Sequence, residues 1–290
     1  MTMTYFTEGQ SVAEVLGRHG PNVDERLAEV FGSLVSHLHA FAKEVVLTES
    51  EWEVAISFLT RTGQLCSDQR QEFILLSDVL GLSMLVDAVN HRRPPGATDS
   101  TVFGPFHVDG APVRAMGDDI CLDGKGESCL FTGRVLDLAG EPVDGACVDV
   151  WSDNADGFYD VQQPDEQPRW NNRGRFLTGP DGRYEFRGIK PTSYPIPDDG
   201  PVGQLLGQLG RHPYRPAHVH FLVTAPNHQR LVTHTFVAGD PYLTSDSVFG
   251  VKESLVTEYE RLDDQEVQWR CHFDFVLAPD DPGPEGALGA

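Results

Sequence analysis

"YRPAHVHFLV", residues 214–223, decides how the second half of the chain is read. Its β-branched and aromatic residues mark a strand. Side chains at i and i+2 of a strand leave on the same face. His218 and His220 therefore point one way together, and Val219 points the other. Two imidazoles buried without polar partners are costly, and a metal ion is one partner that would satisfy both. Arg215 stands just upstream of the pair.

Outward from this stretch the pattern is one of short strands separated by turn signals. "CLFTGRVLDLAGEPVDGACVDVWSDN" (129–154) reads as two strands around a Gly-Glu-Pro turn. "RFLTGPDGRYEFRGI" (175–189) reads as a hairpin turning at Pro180-Asp181-Gly182. "HVHFLVTAP" and "RLVTHTFVAG" read as a further strand pair. Such regular short strands point to a β-sandwich. The tail over 278–290 is rich in Pro, Gly and acidic residues and reads as loosely ordered.

The first third has helical periodicity. Over 24–45, Leu27, Phe31, Leu34, Val35, Leu38 and Phe41 form one stripe, of the kind that ordinarily packs into a core. Residues 48–65 open with Thr48 and Glu51 as a capping box. Residues 68–90 form a third helical pattern, broken near Gly81 and apolar enough to be expected largely buried. Pro94, Pro95 and Gly96, within 91–100, end the helices. The expected fold is α+β. A helical N-terminal domain over 1–100 precedes an antiparallel β-sandwich domain over 101–290.

The 290 residues carry a formal charge of −22, with 7 basic and 14 acidic residues before position 100 and 15 and 30 after it. Neither part resembles a nucleic-acid-binding arm, because a negative surface repels phosphate backbones. The five cysteines form no CxxC pair and read as reduced thiols of a cytoplasmic protein. The N-terminus lacks the basic and apolar regions of a signal peptide, and no apolar run approaches membrane-spanning length.

Two tyrosines join the histidines as candidates. Tyr159 lies in "WSDNADGFYD" (151–160), where a strand runs into a Gly/Asp/Asn-rich loop. Tyr194 lies in the proline-stiffened "PTSYPIPDDGPVGQLL" (191–206). Singly, each also reads as an interface tyrosine. No carboxylate follows the histidines at the spacing of a two-histidine, one-carboxylate iron(II) site, and the cysteine companions of a structural zinc site are lacking.

"WSDNADGFYD", "YPIPDDGPVGQLL", "RPAHVHF" and "FVAGDPYLTSD", in that order, resemble the intradiol ring-cleaving dioxygenases. The resemblance runs from the helical third to about residue 276. It implies one non-haem iron(III) per chain, held by Tyr159, Tyr194, His218 and His220. Phenolate is a hard anionic donor suited to a hard ferric ion. The resemblance also implies that Tyr194 leaves the metal to take a substrate proton, and that Arg215 stabilises charge developing on the ring. His234, in "LVTHTF", stands where catechol-cleaving members usually carry a glutamine that works with this arginine. It is kept as a catalytic candidate beside the reading of a structural strand histidine.

Residues 72–78 and 100–106 resemble the hydroxyquinol-cleaving branch. Matched by position, the pocket comprises Leu75, Asp78, Val102, Phe103, Gly104, Pro105, Phe106, Ile196, Pro197 and Val248. Asp78 would accept a hydrogen bond from the third hydroxyl of hydroxyquinol, or else cap the helix break before Gly81. The rival substrates are catechol or a chlorocatechol. The rival classes are a non-catalytic transthyretin-like ligand carrier and a zinc hydrolase. The resemblance further implies a homodimer formed through the helical region, with an apolar channel that holds phospholipid.

Overall fold

The computed structural model describes residues 5–67, 70–264 and 266–280. The expected tail therefore lies outside the described residues from 281 onward. The chain divides into two compact units, 1–64 and 65–290.

The first unit contains α1 (Ser11–Leu16), α2 (Glu25–Glu44) and α3 (Glu49–Gln64). Asp24 caps α2 by accepting from the Leu27 amide at 2.8 Å. Thr48 and Glu51 form the expected capping box, each side chain accepting from the other's backbone N–H. The stripe on α2 does not pack as expected. Only Val35 is buried, while Leu27, Phe31, Leu34, Leu38 and Phe41 are exposed. Amphipathic spacing makes one face apolar, but it does not supply the surface that covers it.

The second unit opens with α4 (Glu72–Val79) and α5 (Leu82–Asn90), separated at Gly81. Gly81 has φ 72°, a left-handed conformation that breaks the helix where the sequence suggested. The expectation of a largely buried helix fails. Val79, Leu75 and Leu76 pack against Val202, Leu206, Ile196 and Val248, but Phe73, Ile74, Leu82, Leu85, Val86 and Val89 are exposed. These helices are apolar on several faces; among the described residues α4 buries Glu72 and Val79, and α5 buries Asp87. The helices end before residue 91, as the prolines require.

The strands follow as β1 (Ser128–Asp137), β2 (Cys147–Trp151), β3 (Arg173–Leu177), β4 (Arg183–Ile189) and β5 (Tyr194–Pro195). After α6 (Pro201–Gln208) come β6 (Tyr214–Arg215), β7 (His218–Thr224), β8 (Leu231–Val237) and β9 (Val256–Thr257). The last three are β10 (Tyr259–Arg261), β11 (Trp269–His272) and β12 (Phe275–Leu277).

One sheet runs β10-β11-β1-β12, with β4 also paired to β1; the other runs β3-β2-β7-β8-β9. Most pairings are antiparallel, as expected, but β1–β11, β1–β12 and β8–β9 are parallel. The hairpin expected over 175–189 is not formed. β3 pairs with β2 and β4 with β1, so the Pro-Asp-Gly turn carries the chain from one sheet to the other. A tight turn reverses direction equally well in either case, and its residues do not show which.

Between the sheets lies an apolar core. Phe131, Phe176 and Phe186 stack at centroid separations of 4.8 and 5.0 Å, and Val148, Val150, Val219, Phe221, Val223 and Phe275 close around them. Full burial of one such side chain contributes about 1.5–3 kcal/mol. All five cysteines are free thiols, and no described helix is long and apolar enough to cross a membrane.

Candidate metal centre

Val219, Phe221 and Val223 of β7 enter this core, so the alternating residues His218 and His220 emerge on the opposite face of the sheet. Cross-strand register puts Trp151, His220 and His234 in one row over β2, β7 and β8. Trp151 stacks on the His220 ring at 4.8 Å and 13°. His234 lies 4.1 Å from the same ring between centroids. Both flank His220 and hold its plane.

The tyrosines reach this face from two segments. Tyr159 starts a short 3-10 turn over 160–162. That turn is held by Asp160, which accepts from the Trp170 amide at 2.9 Å and, inside the protein, from Arg173 Nε at 2.6 Å. Phe106 stacks on the Tyr159 ring at 4.6 Å. Tyr194 sits in β5 directly opposite Arg215 of β6.

Four donor atoms converge. Tyr159 Oη lies 3.3 Å from Tyr194 Oη, Tyr194 Oη 3.4 Å from His218 Nε2, and His218 Nε2 3.2 Å from His220 Nε2. All four residues are buried. His218 Nδ1 donates to the Pro216 carbonyl at 2.7 Å. A carbonyl only accepts, so Nδ1 carries the proton and the Nε2 lone pair faces the cluster. Burial, with Arg215 adding to it, holds the His218 imidazole well below its usual range, so it is neutral. Burial and the neighbouring His234 and His218 do the same at His220. Burial foremost, then Tyr194 and Asp153, raises the Tyr159 phenol well above its ordinary value.

This donor set fits a cation. Metal–N and metal–O bonds of about 2.0–2.1 Å separate adjacent ligand atoms by about 3 Å, and the spacing here is 3.2–3.4 Å. Two phenols that burial keeps protonated would ionise beside a metal ion, because the cation supplies the charge that the protein interior lacks. His234 is also within metal reach of the two histidines, and Nδ1 of its ring meets Thr101 Oγ1 in a short hydrogen bond. Its Nε2 has no partner among the described residues.

Arg215 closes one side. Its Nη1 donates to His218 Nε2 at 3.1 Å, and its Nε lies 3.2 Å from Asp246 Oδ1. Burial acts to lower the guanidinium pKa, but Asp246 and the two tyrosines outweigh it and raise the value.

A cavity opens beside this cluster, bounded by Tyr194 and Arg215. Leu75 and Asp78 of α4 line it, with Val102, Gly104, Pro105 and Phe106 from the connecting segment and Ile196, Pro197 and Val248 from the loops. Phe103 does not share it. Its ring packs 5.7 Å from Trp151, and it lines a neighbouring cleft behind Gly104. Gly104 has φ 76°, and a Cβ there would stand 2.8 Å from His220 Cε1. Burial raises the Asp78 carboxyl, against the opposing pull of Ser83 and Arg215.

Asp246, Asp160, Arg173, Trp151 and Thr101 belong to the site without standing out in the sequence. Asp246 falls inside the motif "FVAGDPYLTSD" but reads locally as a turn residue. Asp160 follows Tyr159 directly, yet its partner Arg173 is set by the fold rather than by spacing.

Residues 103–279 match the family described as "Dioxygenase", and residues 24–98 match "Catechol dioxygenase N terminus". The chain is 56% identical over 284 residues to a hydroxyquinol 1,2-dioxygenase of Rhizobium sp. (strain MTP-10005), covering 94% of this chain and 96% of that one. It is 53% identical over 277 residues to a 6-chlorohydroxyquinol 1,2-dioxygenase of Cupriavidus pinatubonensis, covering 96% and 99%. Among solved structures, hydroxyquinol 1,2-dioxygenase from Pseudomonas putida DLL-E4 superposes with a TM-score of 0.88 at 46% identity, covering 94% of this chain and 97% of that one. The order of motifs, the fold and these matches agree: this chain belongs to the intradiol ring-cleaving dioxygenases.

Proposed function

We propose that the chain opens hydroxyquinol (1,2,4-trihydroxybenzene) between its adjacent hydroxyls, using dioxygen, to give 3-hydroxy-cis,cis-muconate, the enol form of maleylacetate. The observation that carries the substrate is the Asp78 carboxyl on the wall of the cavity beside Tyr194 and Arg215, among apolar residues such as Leu75, Val102, Ile196 and Val248 and with Arg70, Gln71, Glu72 and Gln162 as further polar lining. It gives a third ring hydroxyl a hydrogen-bond acceptor. A substrate without that hydroxyl leaves this half-buried carboxyl with Ser83 but without the bond from the ring, which is how a polar pocket disfavours the lesser analogue. The names of the relatives support the same substrate.

Tyr159, Tyr194, His218 and His220 would hold one iron(III) ion. When bound, it supplies a Lewis acid and template for the ring diol and dioxygen. The remaining work falls to the chain. The Pro216 carbonyl keeps the His218 lone pair turned inward. Tyr194 Oη takes a proton from an incoming ring hydroxyl. Arg215 lies over the ring and stabilises negative charge that develops there, and His234 works beside it as a hydrogen-bonding partner. Leu75, Ile196 and Val248 keep water from the ring. The exposed stripe of α2 supports a homodimer through the helical region, with phospholipid in its apolar channel.

Dioxygen uptake by iron-loaded protein, measured in parallel with hydroxyquinol and catechol and corrected for autoxidation, tests the reading. Strong preference for hydroxyquinol is expected. Preference for catechol would remove the substrate assignment and leave the metal centre standing.

A further inference from the structure

The Arg215 guanidinium is divided between two neighbours. Nε lies 3.2 Å from Asp246 Oδ1 and Nη2 3.5 Å from Oδ2, while Nη1 faces His218 Nε2 at 3.1 Å. Both partners of the ion pair are buried, at 4% and 5% exposure. The same carboxylate also shapes the chain around it. Oδ1 accepts from the Val248 amide at 3.3 Å, and Oδ2 accepts from the Gly250 amide at 2.8 Å. Within that turn Phe249 adopts φ 60°, a left-handed conformation rare for a bulky residue. Its neighbour Val248 lines the cavity. Gly250 packs against the pair: a Cβ on it would stand 2.9 Å from Arg215 Nη2 and 3.2 Å from Asp246 Oδ2.

We infer that Asp246 is the positioning residue for Arg215. Its carboxylate fixes the Nε and Nη2 side of the guanidinium so that the group is held at the cavity wall with Nη1 beside His218, and it ties that orientation to the same wall at Val248. An arginine side chain has many rotamers to lose, and a cation acts on transition-state charge only if it is aimed before the charge appears. Asp246 supplies the aim, and its buried negative charge compensates a cation that would otherwise be stranded. The inference rests on the proposed function only in using diol cleavage as its readout.

The test is a double-mutant cycle on the iron-loaded protein with Asp246→Asn, Arg215→Ala and the double variant. Asp246→Asn should lower kcat by about 10–100-fold, the scale of a misplaced catalytic group, with a smaller change in KM. The visible absorption and iron content of the resting protein should stay as in wild type. In the Arg215→Ala background the same change should cost less than about threefold, because the residue it positions is gone. An equal loss in both backgrounds, or loss of the iron band, would overturn the inference and leave Asp246 as a turn residue. If Asp246→Asn does not fold, Gly250→Ala replaces it in the cycle. It keeps the carboxylate but presses on Nη2, and its kcat loss should likewise vanish without Arg215. If wild-type protein opens catechol and not hydroxyquinol, the substrate proposal falls. The cycle is then read with catechol, and the positioning role is judged by the same coupling.

Discussion

The two faces of β7 are buried to the same depth and built on opposite terms. Val219, Phe221 and Val223 pack in the hydrophobic core between the sheets, and each is at most 1% exposed. His218 and His220, on the same strand and equally buried, meet phenols, another imidazole and a guanidinium. The difference teaches that burial alone does not distinguish a core from a site. The apolar face is complete as it stands, with every surface covered. The polar face brings together four donor atoms that want a cation and share few protons among them.

The contrast can be broken most severely at the donors. His220→Ala should abolish turnover and sharply reduce bound iron, and Tyr159→Phe should remove most of the visible phenolate-to-iron colour. Unchanged colour and metal content would refute their roles as ligands. On the other face of the strand, Phe221→Ala should cost about 3–5 kcal/mol of stability, read by denaturant titration, while the surviving folded protein keeps its colour. If the colour went as well, the two faces would not be separable.

A smaller effect is expected at the cavity wall. Asp78→Ala should reduce kcat/KM for hydroxyquinol by about tenfold or more, on the scale of about 1–3 kcal/mol for an unmet polar group, and leave that for catechol undiminished or raised. Equal losses on both substrates would remove Asp78 as the discriminator.

A separate effect, on stability rather than turnover, concerns Asp153, fully buried and pushed up to about 8 chiefly by burial. An unfolded chain loses that proton near 3.9. Between these values the folded state binds the extra proton, so the stability it contributes is full below about pH 4 and fades as pH rises through 8. In chelator-treated protein, Asp153→Asn should flatten the decline of the thermal midpoint between pH 5 and 8. A variant curve parallel to wild type would mean that Asp153 does not titrate in this way.

The strand pair 218–237 and its two-faced pattern were legible because period-2 spacing is a property of the strand itself. The histidine pair stood out by its spacing, whereas Tyr159 and Tyr194 were marked only by the family resemblance, since singly each reads as an interface tyrosine; the structure brings the four donor atoms together. What escaped depended on distance along the chain. Asp246 finds Arg215 across 31 residues, and Asp160 finds Arg173 across 13, with nothing in the local pattern to join them. The turn at 180–182 looks the same whether its strands pair or pass between sheets. On α2 the spacing predicted an apolar face correctly, but a stripe cannot tell which surface, if any, will cover it.

Gly104 has a consequence for how this pocket can change. It forms part of the cavity wall, yet even a methyl group there would collide with the His220 ring. A side chain at this position therefore displaces the His220 ring before it can alter which ring is accepted. Adaptive routes to a new substrate are confined to the walls that stand clear of the ligands, such as Leu75, Val102 and Val248. A library randomised over the whole lining should return variants there and wild-type glycine at 104.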